Sequence, residues 1–166
     1  MKKGSKLSFA LACAAAVTCA APVAATARTS FNGNVCSLLK PTQVAAFHIT
    51  PLKCVAKSIP GNGASGQVGT WGSILGSTHL TVSVVTYNNP TIFQFARNRL
   101  STLPGRSKKV NGIGSAAYES GADGGTVASM NFVVKHTICN ISLRTAKPLR
   151  SLAQFNALAK SIAGKL

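Results

Sequence analysis

Apolar and polar positions alternate most cleanly over His79–Tyr87, where Leu80, Val82 and Val84 fall on one face and Thr81, Ser83 and Val85 on the other. A period of two marks a strand with one packed face. Weaker patterns of the same kind place strands at residues 52–57, near 68–73 and at 116–119. Two longer strands are read at Val127–Val134 and Thr137–Arg144, joined by a tight turn at Lys135-His136. Between the first two candidates, Pro60-Gly61-Asn62-Gly63-Ala64-Ser65-Gly66 is expected to be a flexible loop, since Gly and Asn supply backbone angles that other residues resist.

Elsewhere the period lengthens to that of a helix. A short helix is expected at residues 41–47, with Pro41 in the first turn, where its missing N–H costs nothing. Asn89-Pro90 opens a second helix that runs to about residue 103, with Ile92, Phe93, Ala96, Leu100 and Leu103 at helical spacing and Pro104-Gly105 as the stop. Ser151-Leu152-Ala153-Gln154 reads as a capping box ahead of a stripe made by Leu152, Phe155, Leu158, Ala159, Ile162 and Leu166. Helices separated by groups of strands, without regular β-α-β alternation, predict an α+β fold. The expected architecture is a single antiparallel sheet of about five or six strands with helices packed on one face.

The first 27 residues follow a different rule. Lys2, Lys3 and Lys6 form a basic front, an apolar stretch of about fifteen residues begins at Leu7, and Ala25-Thr26-Ala27 supplies the small-residue pattern of a cleavage site. Residues 1–27 are therefore read as a signal peptide cut before Arg28, leaving residues 28–166 as a single secreted α+β domain. Two alternatives stay open: retention as a membrane anchor, and lipidation at Cys13 or Cys19. Pro22 interrupts the first, and Ala10 and Ala16 stand where lipoprotein signals carry a larger aliphatic residue. Export suits the cysteines that remain. Cys36 and Cys54 would close a short loop, a bridge that stabilises by about 3 kcal/mol in the chain-entropy picture. Cys139 lies in a strand pattern with Ile141 and Leu143 and is expected as a buried thiol; its pairing with either partner stays open, because connectivity is not readable from sequence.

Composition sharpens the picture. With 46% apolar and 12% charged residues the chain has enough apolar surface for a core, which excludes disorder over most of its length. Its 18 Lys+Arg face only 2 Asp+Glu, a formal charge of +16. The cations gather in two runs, Arg97, Arg99, Arg106, Lys108 and Lys109, then Arg144, Lys147 and Arg150. Such runs attract polyanions.

Catalytic patterns are incomplete. Ser37-Leu38-Leu39-Lys40 matches the S-x-x-K of serine β-lactamases and penicillin-binding proteins, but no Ser-Asp-Asn accompanies it, and Lys135-His136-Thr137 is not Lys-Thr-Gly. Gly112-Ile113-Gly114-Ser115-Ala116-Ala117 has the letters of a dinucleotide fingerprint, yet a strand pattern follows where a helix is required, so a turn into a strand is expected. Glu119 and Asp123 would have to be the only carboxylate pair, and His48, His79 and His136 show no ligand spacing, so no metal and no cofactor is expected. Cys139 and His136 stand three apart in a strand pattern and so point to opposite faces, which keeps them from meeting as a nucleophile pair unless the turn intervenes.

The opening Cys36-Ser37-Leu38-Leu39, with Pro41-Thr42 and Val44 behind it, the strand around Trp71, the turn from Val110 through Gly112-Ile113-Gly114-Ser115-Ala116-Ala117-Tyr118, and the terminal amphipathic helix form a recognisable order. Together they resemble small exported actinobacterial domains of unknown function and, more distantly, the extracellular sensor domain of mycobacterial receptor Ser/Thr kinases. The resemblance implies an α+β sandwich outside the cytoplasm and carries over no catalytic residue. Relatives often have an acid at the position of Ser115 and a lipoprotein signal, and this chain departs from that pattern in both respects. The function expected is a non-enzymatic cell-envelope binding domain whose basic face meets an anionic polymer or lipid headgroups, with peripheral membrane contact and no specific nucleic acid. A cell-wall hydrolase using Ser37 or a His-based site is the competing expectation.

Overall fold

The alternation of His79–Tyr87 becomes the central strand of the molecule. The structure, a computed structural model, describes residues 31, 33–100 and 107–166. The leader, its cleavage site, Arg106 and the Pro104-Gly105 stop lie outside the described residues. The strands are β1 (Cys54–Ile59), β2 (Ala64–Gly72), β3 (His79–Tyr87), β4 (Lys108–Lys109), β5 (Ala116–Gly121), β6 (Val127–Val134) and β7 (Thr137–Arg144). They form one sheet in the order β1-β2-β3-β7-β6-β5-β4, every neighbouring pair antiparallel. Two meanders, β1 to β3 and β4 to β7, are thus sewn together along β3 and β7, where Val82 faces Ile141 and Val84 faces Cys139.

The sheet has seven strands, not five or six. The additional one is β4, two edge lysines paired with Glu119 and Tyr118, too short to carry a period. Helices also lie on both faces rather than one. On the first face, α1 (Pro41–Ala45), the 3-10 turn at Val35–Leu38 and α3 (Leu152–Ala163) close over a core of Leu80, Val82, Val84, Cys139, Ile141, Leu143, Met130 and Phe132. On the second, α2 (Pro90–Arg99) seats Phe93, with Leu100 just beyond its end, on Val133 and Ile138, and Tyr87 and Ala116 pack around them. An apolar stripe tells that a helix is buried on a sheet; it does not tell on which side.

Local chemistry starts the helices where the pattern placed them. Asn89 Oδ1 accepts from the N–H groups of Thr91 and Ile92 at 2.9 and 3.2 Å, and Ser151 Oγ accepts from Ala153 N–H at 3.1 Å. These bonds satisfy donors that the first helical turn leaves unpaired. A further acceptor for α3 comes from a distant loop: Asp123 Oδ1 takes the Leu152 N–H at 2.7 Å, a favourable place for an acid at the positive end of a helix dipole. Phe155, Leu158, Ala159 and Ile162 of α3 are buried as the stripe requires.

The loop expected at residues 60–66 is shorter than its glycines suggest, because β2 begins at Ala64. Gly66 and Gly69 lie within that strand for close approach rather than for flexibility. A Cβ on Gly66 would fall on the Val84 carbonyl oxygen, and one on Gly69 would reach Val35 Cγ1 at 2.9 Å and Cys54 Sγ at 3.2 Å. Gly69 therefore makes the room in which the Cys36–Cys54 disulfide sits, tying the 3-10 turn to edge strand β1 across 18 residues. Cys139 is the buried free thiol, and burial pushes its ionisation well above the ordinary thiol range.

Candidate functional site: a cationic cleft between α2 and the β4–β5 edge

Helix α2 has three sides. Phe93, Ala96 and Leu100 face the sheet. Gln94, Arg97 and Asn98, spaced to share one flank, turn toward β4 and β5, and together with Lys109, Ser115, Ala116 and Tyr118 they line a cleft of about 480 Å³. On the opposite flank Arg99 lies over the Phe95 ring, 5.3 Å from its centre.

Neighbouring strand residues point to opposite faces, so the two lysines of β4 part company. Lys109, opposite Tyr118, serves the cleft, while Lys108, opposite Glu119, serves the α3 face. Glu119 is buried there. Loss of solvation raises its carboxyl above the ordinary value; a hydrogen bond from Asn156 and the charge of Lys108 pull the other way, and the charge of Asp123 adds to the rise. Among the described residues the cleft thus receives two cations and no carboxylate, although Glu119 follows Tyr118 directly on β5 and is turned to the other face of the sheet.

Tyr118 also borders a second hollow of about 290 Å³, lined by Leu100, Ser107, Ser120, Ser129, Asn131 and Asn140. The register places Tyr118, Asn131, Asn140 and Ser83 in one row across the sheet, and Ser120, Ser129, Ser142, Thr81 and Thr70 in the next. Asn140 Nδ2 donates to Asn131 Oδ1 at 2.7 Å. A basic cleft opening beside a shelf of hydroxyls and amides suits a ligand that carries both negative charge and hydroxyl groups.

The first run of cations is accordingly divided. Arg97 and Lys109 come together, Lys108 and Arg99 face elsewhere, and Arg106 lies outside the described residues. Arg144, Lys147 and Arg150 are exposed around the β7–α3 connection, at the other end of the strands. Of the residues that line the cleft with these cations, Ser115 and Tyr118 belong to the turn that the sequence marks, with no binding role read there, while Gln94 and Asn98 were not singled out. The i, i+4 pair Gln94 and Asn98 beside Arg97 was the available signal.

The other candidate residues have local duties. Ser37 Oγ donates to the Asn34 carbonyl at 2.6 Å within the 3-10 turn, and Asn34 Oδ1 accepts from Cys36 N–H at 2.9 Å. Gly112 and Gly114, with φ of 79° and 57°, form a turn into β5. The turn between β6 and β7 sends His136 to the α2 face, 5.2 Å from the Phe93 ring centre, whereas Cys139 belongs to the core on the opposite face. Among the described residues, no three His, Cys, Asp or Glu side chains gather as a metal site.

Comparison of the chain with protein-family models, with curated proteins and with solved structures gives no match.

Proposed function

We propose that the chain is an exported, non-enzymatic binding domain of the cell envelope, in which the cleft between α2 and the β4–β5 edge takes an anionic group of an envelope polymer or lipid. The observation that carries the reading is the convergence of Arg97 and Lys109 on one cleft with no acid among its described lining residues. Arg offers a planar fork for phosphate or carboxylate oxygens and Lys a mobile point charge. The hydroxyl and amide shelf beside Tyr118 supports a polymer in which charged groups alternate with hydroxyl-bearing units.

Export before Arg28 agrees with the Cys36–Cys54 bridge, since disulfides persist in oxidising compartments, and with the resemblance to small exported actinobacterial domains. The hydrolase reading gains nothing from Ser37, whose hydroxyl is spent on the Asn34 carbonyl.

The test expresses the full chain with its own N-terminal segment in a secreting host. The mass of the exported product reports cleavage before Arg28. That product should bind a soluble polyanion at low ionic strength and weaken as salt rises. Arg97→Glu with Lys109→Glu should lower the affinity at least tenfold, and Lys57→Glu with Lys160→Glu, at exposed positions away from the cleft, should not. Equal losses in the two pairs would reduce the cleft to a share of the general positive charge.

A further inference from the structure

The loop between β2 and β3 closes with Gly76 N–H donating to the Ser73 carbonyl at 2.8 Å, which puts Ile74 and Leu75 at the two corner positions of a turn. Those corners ordinarily carry Pro, Gly, Asn, Asp or Ser. Here they carry two large aliphatic side chains, Ile74 66% and Leu75 100% exposed. The turn is held firmly from behind. Gly72, at φ 80°, leaves no space for a Cβ, which would lie 2.7 Å from the Thr78 carbonyl oxygen, and Gly72 N–H donates to the Pro51 carbonyl at 3.2 Å.

Cations surround this tip by topology. The segment before β1 brings exposed Leu52 and Lys53 to the same end of the sheet, since Cys54 pairs with Trp71. On the other side Arg144 pairs with His79, and Ala146 N–H donates to Thr78 Oγ1 at 3.0 Å, which sets Lys147 next to the loop. The acid at this end, Asp123, lies across the sheet beyond β6 and is engaged at the start of α3.

We infer that the Ile74–Leu75 turn is a membrane-docking tip that inserts into the interfacial region of an anionic bilayer, with Lys53, Arg144 and Lys147 on the headgroups. An apolar point collared by cations matches a surface that offers hydrocarbon below negative charge, whereas an anionic polymer in water would leave the two aliphatic side chains unrewarded. The inference rests on the reading of an exported envelope domain but not on the cleft, which occupies the diagonally opposite corner of the sheet.

The experiment compares the exported product with an Ile74→Ser, Leu75→Ser variant and with the cleft pair Arg97→Glu, Lys109→Glu. Vesicles of phosphatidylcholine, the same vesicles containing phosphatidylglycerol, and a soluble polyanion are the three probes. The parent should bind the anionic vesicles and not the neutral ones. The tip variant should lose at least tenfold on anionic vesicles and keep its affinity for the polyanion, and the cleft pair should do the reverse. A Leu75→Trp reporter should shift its emission to the blue on anionic vesicles. Both side chains are exposed, so the unchanged melting temperature of each variant certifies its fold. Vesicle binding that the tip variant retains in full, or polyanion binding by a parent that ignores both vesicles, would overturn the docking tip and leave the cleft standing. Loss of all binding in the parent would overturn both.

Discussion

Removing the Cys36–Cys54 bridge should cost this fold a large part of its stability. The bond closes a loop of 18 residues, for which the loss of unfolded-chain entropy amounts to about 3 kcal/mol. The native geometry adds little to that sum, because the 3-10 turn is also held by the Val35 N–H donating to Gln67 Oε1 at 3.0 Å and by fully buried Val35. With a melting temperature that moves about 2–4 °C per kcal/mol in a domain of this size, the Cys36→Ala, Cys54→Ala variant should melt about 6–12 °C below the parent. Thermal unfolding followed by circular dichroism, with and without reductant, measures it. Reductant should bring the parent down to the variant and leave the variant where it was. A variant that melts within about 2 °C of the parent would refute the reasoning, since the segment before α1 would then be anchored by packing alone.

Other outcomes follow from single residues. Burial raises the Glu119 carboxyl, so the folded state keeps its proton to a higher pH than the unfolded chain; the stability of that neutral form is whole below the unfolded carboxyl's titration, about pH 4, and is lost as pH rises through the raised folded value. Glu119→Gln should therefore be more stable than the parent at neutral pH and equal to it near pH 4, and denaturant midpoints that fall at neutral pH would contradict this. Cys139 should resist alkylation in the native protein at mildly alkaline pH and react after unfolding, because burial disfavours its thiolate; mass spectrometry of the labelled protein reads both states. Gly114→Ala should cost about 2–4 kcal/mol, as its Cβ would fall on the Val133 carbonyl oxygen at φ 57°, while Gly112→Ala, at φ 79° with open space around it, should cost about 1 kcal/mol. Urea unfolding of the two variants settles the order.

What the pattern revealed and what it hid have physical reasons. β3, β6 and β7 are legible to the residue because each buries one face, and α3 because its stripe and Ser151 cap agree. β1 starts at Cys54 and ends at Ile59, later at both ends than the pattern suggests, because its four middle residues are exposed and leave no alternation to read. The glycines of β2 suggested a loop, and their reason, closeness to Val84 and to the disulfide, is a tertiary contact. α1 ends at Ala45, with a turn of Phe47 and His48 onto Val44 and Ala45 in place of further helix. The cationic runs were visible as composition; that Arg97 and Lys109 meet while Arg99 and Lys108 do not depends on helix flank and strand parity. Ile74 and Leu75 stood in the sequence as two aliphatics ahead of Gly76-Ser77-Thr78, a mismatch that alternation alone passes over.

The shortest strand has the widest reach. β4 holds its place through its pairing with β5 and the adjoining Val110 N–H donating to the Ala117 carbonyl at 3.0 Å. Anything that grips Lys109 from the cleft also steadies Lys108 beneath the sheet, since the two share one short piece of backbone. A filled cleft should thus slow amide exchange along this rim, and an occupant confined to one surface would leave its imprint on the other, where it never makes contact.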